Sequence, residues 1–189
     1  MVTTNREPQP PHALDLVIDF VNTLDIDQGT DSIAGPQALD AWLGERGLLP
    51  YGARALGGLD HRHAVALREA LRALMLANNG QGSDDQAGRE LERAARRGSL
   101  GVHFEADGSA SLRADAAGGD GALAALLVPV ASAFADDSWR RVKACRAAGC
   151  EWAFYDRSRN RSGVWCEMAV CGNRTKVRAY RERTPRRSR

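Results

Sequence analysis

The spacing of hydrophobic and polar residues predicts a series of amphipathic helices in the first half of the chain. Over residues 13–24 apolar side chains recur three and four positions apart, as on one face of a helix, although the β-branched residues also allow a strand in part of this segment. The same spacing predicts helices over residues 36–46, 61–78 and 84–97. Asp60 directly precedes the third helix, where we expect its carboxylate to form the cap.

Two further patterns follow these helices. Asp107-Gly108 separates two short alternating segments, 100–105 and 110–113, and this dipeptide is a strong signal for a β-hairpin. Residues 122–135 then form the most apolar stretch of the chain and predict one more helix. Pro129 lies inside that stretch and is expected to kink the helix or remove one of its hydrogen bonds.

Composition divides the chain into four parts. Residues 1–12 are polar and proline-rich and are predicted to be disordered, residues 13–138 form the helical domain, residues 139–183 form a small C-terminal module, and residues 184–189 form a basic disordered tail. Apolar runs stay short of the ~20 residues of a membrane span, and the N-terminus lacks the apolar core of a signal peptide. We therefore expect a cytoplasmic protein without a membrane partner.

The charge is distributed unevenly along the chain. Residues 140–189 contain 15 Lys/Arg and 4 Asp/Glu, whereas residues 1–139 contain 11 and 20, so an overall charge of only +2 hides an acidic body and a basic C-terminal part. A basic segment of this kind attracts polyanions, while the acidic body is repelled by them.

All four cysteines lie in the basic part, in the pattern C-x4-C-x15-C-x4-C formed by Cys145, Cys150, Cys166 and Cys171. Cytosolic thiols stay reduced, so a cluster of this kind favours metal ligands over disulfides. Four thiolates would close a tetrahedral shell and make the site structural, and the bound metal would order a segment too poor in apolar residues to fold alone. Two disulfides, four free thiols and an iron–sulfur cluster remain as alternatives.

The residues around the cysteines suggest how such a module would be built. Trp152, Phe154, Tyr155 and Trp165 are predicted to fill a small hairpin around the metal, although aromatic side chains could equally stack on unpaired bases. The last helix begins at Cys171-Gly-Asn-Arg174, and Val177 and Tyr180 are expected to dock that helix on the module.

Arginine and lysine side chains in this module are the candidate nucleic-acid contacts. Guanidinium groups interleaved with short polar residues suit phosphate binding. We predict phosphate contacts from seven residues, with Arg174 and Arg178 as candidates for base edges: Arg157, Arg159, Arg161, Arg174, Lys176, Arg178 and Arg181.

A second candidate site lies in the first helix. Asp15, Asp19 and Asn22 share one helical face, which would suit a polar pocket for a small-molecule effector or a pair of carboxylates for acid–base chemistry. Helix capping and simple solvation explain the same three residues equally well.

The C-terminal segment resembles the CGNR zinc-finger family, which is named for the tetrad at residues 171–174. The resemblance covers residues 139–183 and implies one structural Zn²⁺ bound by the four cysteines. The opening ALDLVIDFVNT at residues 13–23, together with Trp42-Leu43, is similar to the ABATE domain that usually precedes this finger. Such proteins are bacterial and are regarded as stress-induced transcriptional regulators. Most carry two arginines where this chain has Gly163-Val164, so positive charge is missing from the loop implied to face DNA.

These observations predict a mainly α protein with a small β-hairpin component (α+β), consisting of a helical N-terminal domain and a small C-terminal four-cysteine zinc finger. The predicted function is that of a zinc-dependent regulator, not an enzyme, that binds double-stranded DNA, responds to an effector or a stress through its N-terminal domain, and could act as a homodimer. One rival hypothesis is a small-molecule-binding protein or enzyme in which the finger is a brace. Another is an RNA-binding module.

Overall fold

Helices dominate the computed structural model, which describes residues 12–82 and 84–183. Within these ranges the helices are α1 (His12–Val21), α2 (Pro36–Glu45), α3 (Gly58–Asn78), α4 (Asp85–Arg97), α5 (Gly118–Ala125), α6 (Leu127–Ala135) and α7 (Asn173–Arg183). The strands are β1 (Leu24–Asp25), β2 (Thr30–Asp31), β3 (Leu100–Phe104), β4 (Ala110–Ala114), β5 (Val142–Ala144) and β6 (Ala153–Tyr155). They pair consecutively into three antiparallel hairpins. The predicted α+β class is confirmed. Apart from His12, the ends predicted to be disordered lie outside the described residues.

The core is organised around α3, the longest helix. Its buried Leu67, Leu71 and Met75 pack with apolar residues of α1, α2, α5 and α6. Phe20 of α1 and Trp42 of α2 meet with ring centroids 5.4 Å apart. The periodicity of the sequence located these faces correctly, because each face is buried against a neighbouring helix.

The start of α3 differs from the prediction. The helix begins at Gly58, with Gly57 as its cap, and Asp60 lies in its first turn. The Asp60 carboxylate accepts a hydrogen bond of 2.7 Å from the Gly57 amide. This is the acidic half of a capping box, so the predicted capping role is found three residues inside the helix.

The predicted helix over residues 122–135 is two helices. The helix is interrupted at Leu126, between α5 and α6. Pro129 explains the position, because a proline cannot donate to the carbonyl four residues earlier and its ring crowds that carbonyl, which here belongs to Ala125. The stretch Gly118–Ala135 is apolar and long enough to cross a membrane by length and composition, but half of it is buried and it packs on α1 and α4. That packing is typical of a core helix.

The segment 13–24 is helical only to Val21, where α1 ends, and a strand that begins at Leu24 opens a short hairpin. The Thr23 hydroxyl donates to the Phe20 carbonyl at 2.8 Å, and the chain then enters β1. Asp31 at the end of β2 binds the buried guanidinium of Arg68 at 2.8 Å. A contact to α3 therefore fixes the β1–β2 hairpin, and local periodicity does not reveal such a contact.

The hairpin β5–β6 joins the cysteine-containing segment to the helical core. Val142, Ala144 and Ala153 are buried in the same hydrophobic cluster as the helices. The buried amide of Asn79, directly after α3, completes the attachment: it donates to the carbonyls of Ala144 and Val164 at 2.7 and 2.8 Å. The core is thus continuous across residue 138, and the predicted domain boundary there stays a prediction.

A buried arginine makes a second connection. Arg72 of α3 is 2% exposed and donates to the Val21 carbonyl at 2.7 Å and to the Glu151 carbonyl at 2.8 Å. Asn22 adds a reciprocal pair with Ala153, donating to its carbonyl and accepting from its amide. The C-terminal hairpin is therefore held against α1 and α3 by hydrogen bonds from the buried Arg72 and the partly buried Asn22.

Candidate metal centre and basic surface

The four cysteines come from two tight turns and one loop. Cys145 follows β5 and Cys150 precedes β6, with Gly149 at a φ of 76° in the turn between them. The Cys145 amide donates to the Trp152 carbonyl at 2.9 Å, and the Cys150 amide to the Ala147 carbonyl at 3.0 Å. Cys166 lies in the loop after β6, and Cys171 lies in a π-helical turn, Met168–Gly172, immediately before α7. Local backbone hydrogen bonds therefore help to position the cysteines.

The sulfur atoms form a shell of the right size for zinc. All four lie within 4.8 Å of one another, and those of Cys150, Cys166 and Cys171 are 3.6 Å apart. Zn–S bonds of about 2.3 Å in a tetrahedron require sulfur separations of about 3.8 Å, whereas a disulfide requires about 2.05 Å. The set fits a single structural zinc and excludes disulfide pairing in this conformation.

The environment of the sulfur atoms favours binding of a cation. Burial raises the pKa of the Cys150 thiol to about 11 and also raises the pKa of Cys166. Burial opposes ionisation of Cys171 as well, but hydrogen bonds from Cys150, Cys166 and Arg174 outweigh it and lower its pKa. Thiolates in such a site are stabilised by the charge of the metal they bind, so metal binding must release protons.

Aromatic side chains fill the module around the cysteines. Trp152, Phe154 and Trp165 pack against the buried cysteines, as the sequence predicts. Tyr155 does not belong to this group, since it packs against the main helical core. Gly172 of the tetrad is also explained, because a Cβ at this position would collide with the Met168 side chain and lie 3.1 Å from Trp165.

A buried ion pair organises the arginine-containing loop after β6. Lys143 of β5 and Asp156 have side chains 5% and 2% exposed, and their Nζ and Oδ2 atoms are 2.7 Å apart. Lys143 also donates to the carbonyls of Arg161 and Gly163 at 2.6 and 3.0 Å. Asp156 accepts from the amides of Ser158 and Gly163. The loop therefore folds around a pair that satisfies its backbone polar groups.

The same ion pair explains the glycine at position 163. A Cβ on Gly163 would lie 2.7–3.1 Å from the Asp156 carboxylate, which is fixed by its hydrogen bonds. The conformation of this loop excludes an arginine at position 163. Packing against Asp156 thus accounts for the absence of an arginine at position 163.

We expect Gly163→Ala to destabilise the protein by about 1–3 kcal/mol, because the added methyl group overpacks a carboxylate that cannot move. Gly88 in α4 is a matched control, since a Cβ there meets nothing within 4 Å. Gly88→Ala should stabilise by about 0.5–1 kcal/mol, because alanine is the better helix residue. Chemical denaturation of both variants measures the difference, and equal effects at the two positions would contradict the role given to Asp156.

The structure separates the predicted nucleic-acid contacts into two groups. Three arginines bind carboxylates: Arg161 binds Asp137 at 2.7 Å, Arg174 binds Asp27 at 2.7 Å, and Arg178 binds Glu182 at 3.0 Å. The other four are exposed and have no carboxylate partner among the described residues: Arg157, Arg159, Lys176 and Arg181.

Arg174 contacts both the β1–β2 turn and the cysteine cluster. Its guanidinium bonds to Asp27 in the turn between β1 and β2, and also donates to the Cys171 sulfur at 3.5 Å. The hydrogen bond with Asp27, followed by that with Cys171, raises the pKa of Arg174 further above its already high ordinary value. This arginine therefore links the metal centre to the N-terminal part of the fold.

The expectation that Val177 and Tyr180 dock α7 on the module is wrong. These side chains are 49% and 64% exposed, and every described residue of α7 keeps part of its surface in solvent. Thr175 and Ala179, two small residues that are half-buried, face the protein instead. The hydrophobic pattern alone did not indicate that these small residues form the inner face of α7.

The predicted effector pocket is only partly assembled. Asp19 and Asn22 line an open groove together with Trp42, Arg46 and, from the cysteine module, Trp152. Asp15 is exposed and is not among the residues that line this groove. Asn22 is already engaged by Ala153, so it has a structural role, and binding of an effector in the groove stays a prediction.

Three residues near these sites were not singled out from the sequence. Asp27, Asp156 and Arg72 contact partners that are distant in sequence. A weak signal existed for the Lys143–Asp156 pair, because Lys143 lies between Val142 and Ala144 in an apolar strand and is one of two lysines in an arginine-rich chain. Asp27 and Arg72 carried no comparable signal.

Two family models match the chain. The ABATE model, described as "Putative stress-induced transcription regulator", matches residues 14–137. The CGNR zinc finger model matches residues 141–184 and includes all four cysteines. No curated protein matches the chain in sequence.

Proposed function

The chain belongs to the ABATE family and ends in a CGNR zinc finger, and from this premise we propose that it is a DNA-binding transcriptional regulator. The observation that carries the proposal is a four-cysteine metal site flanked by two basic segments, the loop after β6 and helix α7. A structural metal leaves no open position for chemistry, so its use is to hold side chains in place. We place the protein in the cytoplasm and assign it no enzymatic activity.

We assign phosphate contacts first to the four exposed cations that have no carboxylate partner among the described residues: Arg157, Arg159, Lys176 and Arg181. Each phosphate neutralised should release counterions and add about 0.9 to the slope of log affinity against log salt. Four contacts give a slope of about 3 to 4. The acidic body would be repelled by the same DNA, so the protein should bind with its C-terminal module foremost.

The test is fluorescence anisotropy of the zinc-loaded protein with a labelled duplex over a range of salt. We expect the predicted slope for the wild type and a nearly flat response when the four residues are replaced by glutamine. Arg89→Gln is the matched control, because Arg89 is an exposed arginine of α4, outside the basic module. A wild-type slope near zero would overturn the assignment of these residues to phosphate.

Asp27 is expected to restrain this activity, because its carboxylate occupies the guanidinium of Arg174. Asp27→Asn keeps the size of the side chain and removes its charge. It should raise the affinity for duplex DNA and, if the released arginine reaches a phosphate, steepen the salt slope by about 0.9. Glu92→Gln removes an equal charge from a surface pair with Arg96 inside α4, and it should leave both quantities unchanged. An equal response of the two variants would contradict this role.

The groove at Asp19 supports a second proposal, that a small molecule regulates the protein. Trp42 and Thr23 come from the N-terminal part and Trp152 from the cysteine module, so a bound molecule would contact both. Stabilisation by a metabolite in a thermal-shift screen, abolished by Trp152→Ala but not by loss of the phosphate contacts, would support it. Preference for single-stranded RNA over duplex DNA would instead support the RNA-binding hypothesis.

A further inference from the structure

Helix α7 presents an outward face that the fold does not use. Residues around a helix are about 100° apart, so Thr175 and Ala179, which face the protein, lie opposite Val177. Asn173 and Arg181 flank Val177 at spacings of four residues, and all three line one open cleft on the surface of α7. The outward face therefore carries an amide, an apolar side chain and a guanidinium in a row.

Exposed apolar residues extend along this face. Val177 is 49% exposed, Tyr180 is 64% exposed, and Val170 in the preceding π-turn is 50% exposed. These three side chains, all from α7 and the turn before it, make this face a candidate contact surface. Lys176 lies on one side of the set, and Arg174 and Arg178 lie on the other. The surface is thus apolar in the middle and cationic at both edges.

We propose that α7 enters the major groove of duplex DNA and that Asn173, Val177 and Arg181 contact base edges there. The inference rests on the DNA-binding function proposed above and names the reading surface. The major groove is about 12 Å wide and accepts a helix with its side chains. An asparagine amide pairs with adenine, an arginine fork with guanine, and an apolar side chain with the thymine methyl group.

The dimensions of the face agree with this role. Asn173 and Arg181 are separated by eight residues, which is about 12 Å along a helix axis, or three to four base pairs of B-DNA. One Nδ2 hydrogen of Asn173 bonds to the Ala169 carbonyl at 2.9 Å, which leaves the amide oxygen and the second hydrogen for another partner. Such a preoriented amide suits a bidentate contact.

This assignment replaces Arg174 and Arg178 as the candidates for base contacts. It also moves Arg181 from the phosphate contacts to the base contacts, which leaves three phosphate contacts and lowers the expected salt slope to about 2.7. Arg174 is engaged by Asp27 and Cys171, and Arg178 by Glu182. Duplex DNA fits the surface better than other occupants. Lys176 at one edge is available to a phosphate, and Arg174 and Arg178 at the other edge can exchange their exposed carboxylate partners for phosphate. The deep and narrow major groove of duplex RNA, in contrast, does not admit a helix.

The test is selection of bound duplexes from a random pool by the zinc-loaded full-length protein and its variants. We expect an enriched motif for the wild type. Asn173→Ala should lose at least about five-fold base preference at one base pair of that motif, and Arg181→Gln should lose a similar preference at a second base pair, three to four base pairs away. Val177→Ala should reduce the preference between them. Lys176→Ala is the control from the same helix: it should weaken binding to all sequences and leave the motif unchanged.

The outcomes distinguish this inference from the proposed function. Binding without an enriched motif, or a motif unchanged in the three variants, would overturn the reading surface while leaving DNA binding intact. No binding to any duplex would overturn both. A change in oligomeric state on sedimentation of the three variants would assign the face to a second copy of the chain and overturn the inference. Zinc content and thermal melting equal to wild type would show that the exposed substitutions leave the fold unaltered.

Discussion

Removal of zinc is expected to weaken the whole protein and not only the cysteine module. The metal holds Cys145 and Cys150 at the ends of the turn that joins β5 to β6. That hairpin contributes Val142, Ala144 and Ala153 to the main hydrophobic core. Structural zinc contributes about 10–16 kcal/mol to the folding of isolated finger peptides, so its loss should release the hairpin from α3. We expect the midpoint of thermal unfolding to fall by roughly 10 °C or more.

Replacement of one ligand tests the same point without a chelator. Cys166→Ser should bind zinc more weakly. In circular dichroism, the helical signal to which α1 and α3 contribute should be lost at a lower temperature than in the wild type, in one transition with the rest of the protein. Ala148→Ser is the matched control, because it places the same hydroxyl in the exposed turn between Cys145 and Cys150 and keeps all four ligands. Zinc added back to the metal-free wild type should restore the original midpoint. An unchanged helical transition in the metal-free protein would refute the coupling.

The parts of the fold that could be predicted are those determined by local pattern. The helices α2 and α4 and the hairpin β3–β4 are found within one or two residues of the predicted bounds, because their apolar spacing, caps and turn dipeptide all lie within a few residues of each other. The metal site belongs to the same category. Its four ligands are the only cysteines of the chain, so their number and spacing alone identified the candidate metal ligands.

The parts that were missed depend on contacts distant in sequence. The β1–β2 hairpin is fixed by Arg68 of α3, and the orientation of Arg174 is fixed by Asp27, 147 residues earlier. An exposed arginine and one engaged by a carboxylate look the same in a sequence. Candidate nucleic-acid contacts could therefore be identified by residue type, whereas the division between available and engaged side chains required coordinates.

The uneven charge of the chain has a structural consequence in the contacts of Arg161 and Arg174. Asp27 and Asp137, both from the acidic part, each bind an arginine of the basic part at 2.7 Å. Carboxylates and phosphates make the same bidentate contacts with guanidinium, so the acidic body competes with DNA for these two side chains. The competition is weak enough to be reversed, because both pairs are exposed and screened by salt. It would reduce binding to random polyanions more than binding to a site that also offers base contacts.

The Lys143–Asp156 pair gives the second large expected effect. Lys143→Met preserves the length of the side chain but leaves the buried Asp156 carboxylate without its cation. Breaking one partner of a buried pair costs about 3–5 kcal/mol, because the remaining charge is uncompensated. The double variant Lys143→Met/Asp156→Leu should lose less than the sum of the two single variants, since it leaves no isolated charge. Glu182→Gln, which breaks the exposed pair with Arg178, should change the free energy of unfolding little.

The pH dependence of stability provides an independent check on the same pair. Burial alone would raise the pKa of Asp156, but hydrogen bonds from Lys143 and Ser158 outweigh burial and hold the pKa below its ordinary value of 3.8. A carboxyl whose pKa is lower in the folded state stabilises the protein above its unfolded pKa, and this contribution is lost as the pH falls through the folded pKa. Wild-type stability minus that of Asp156→Asn should therefore be constant above about pH 5 and should decrease below pH 4. Taking this difference removes the acid release of zinc, which both proteins share. A difference that stays constant to pH 2.5 would mean that Asp156 is not the ionised partner of Lys143, and the loop that carries Arg157, Arg159 and Arg161 would need another explanation for its order.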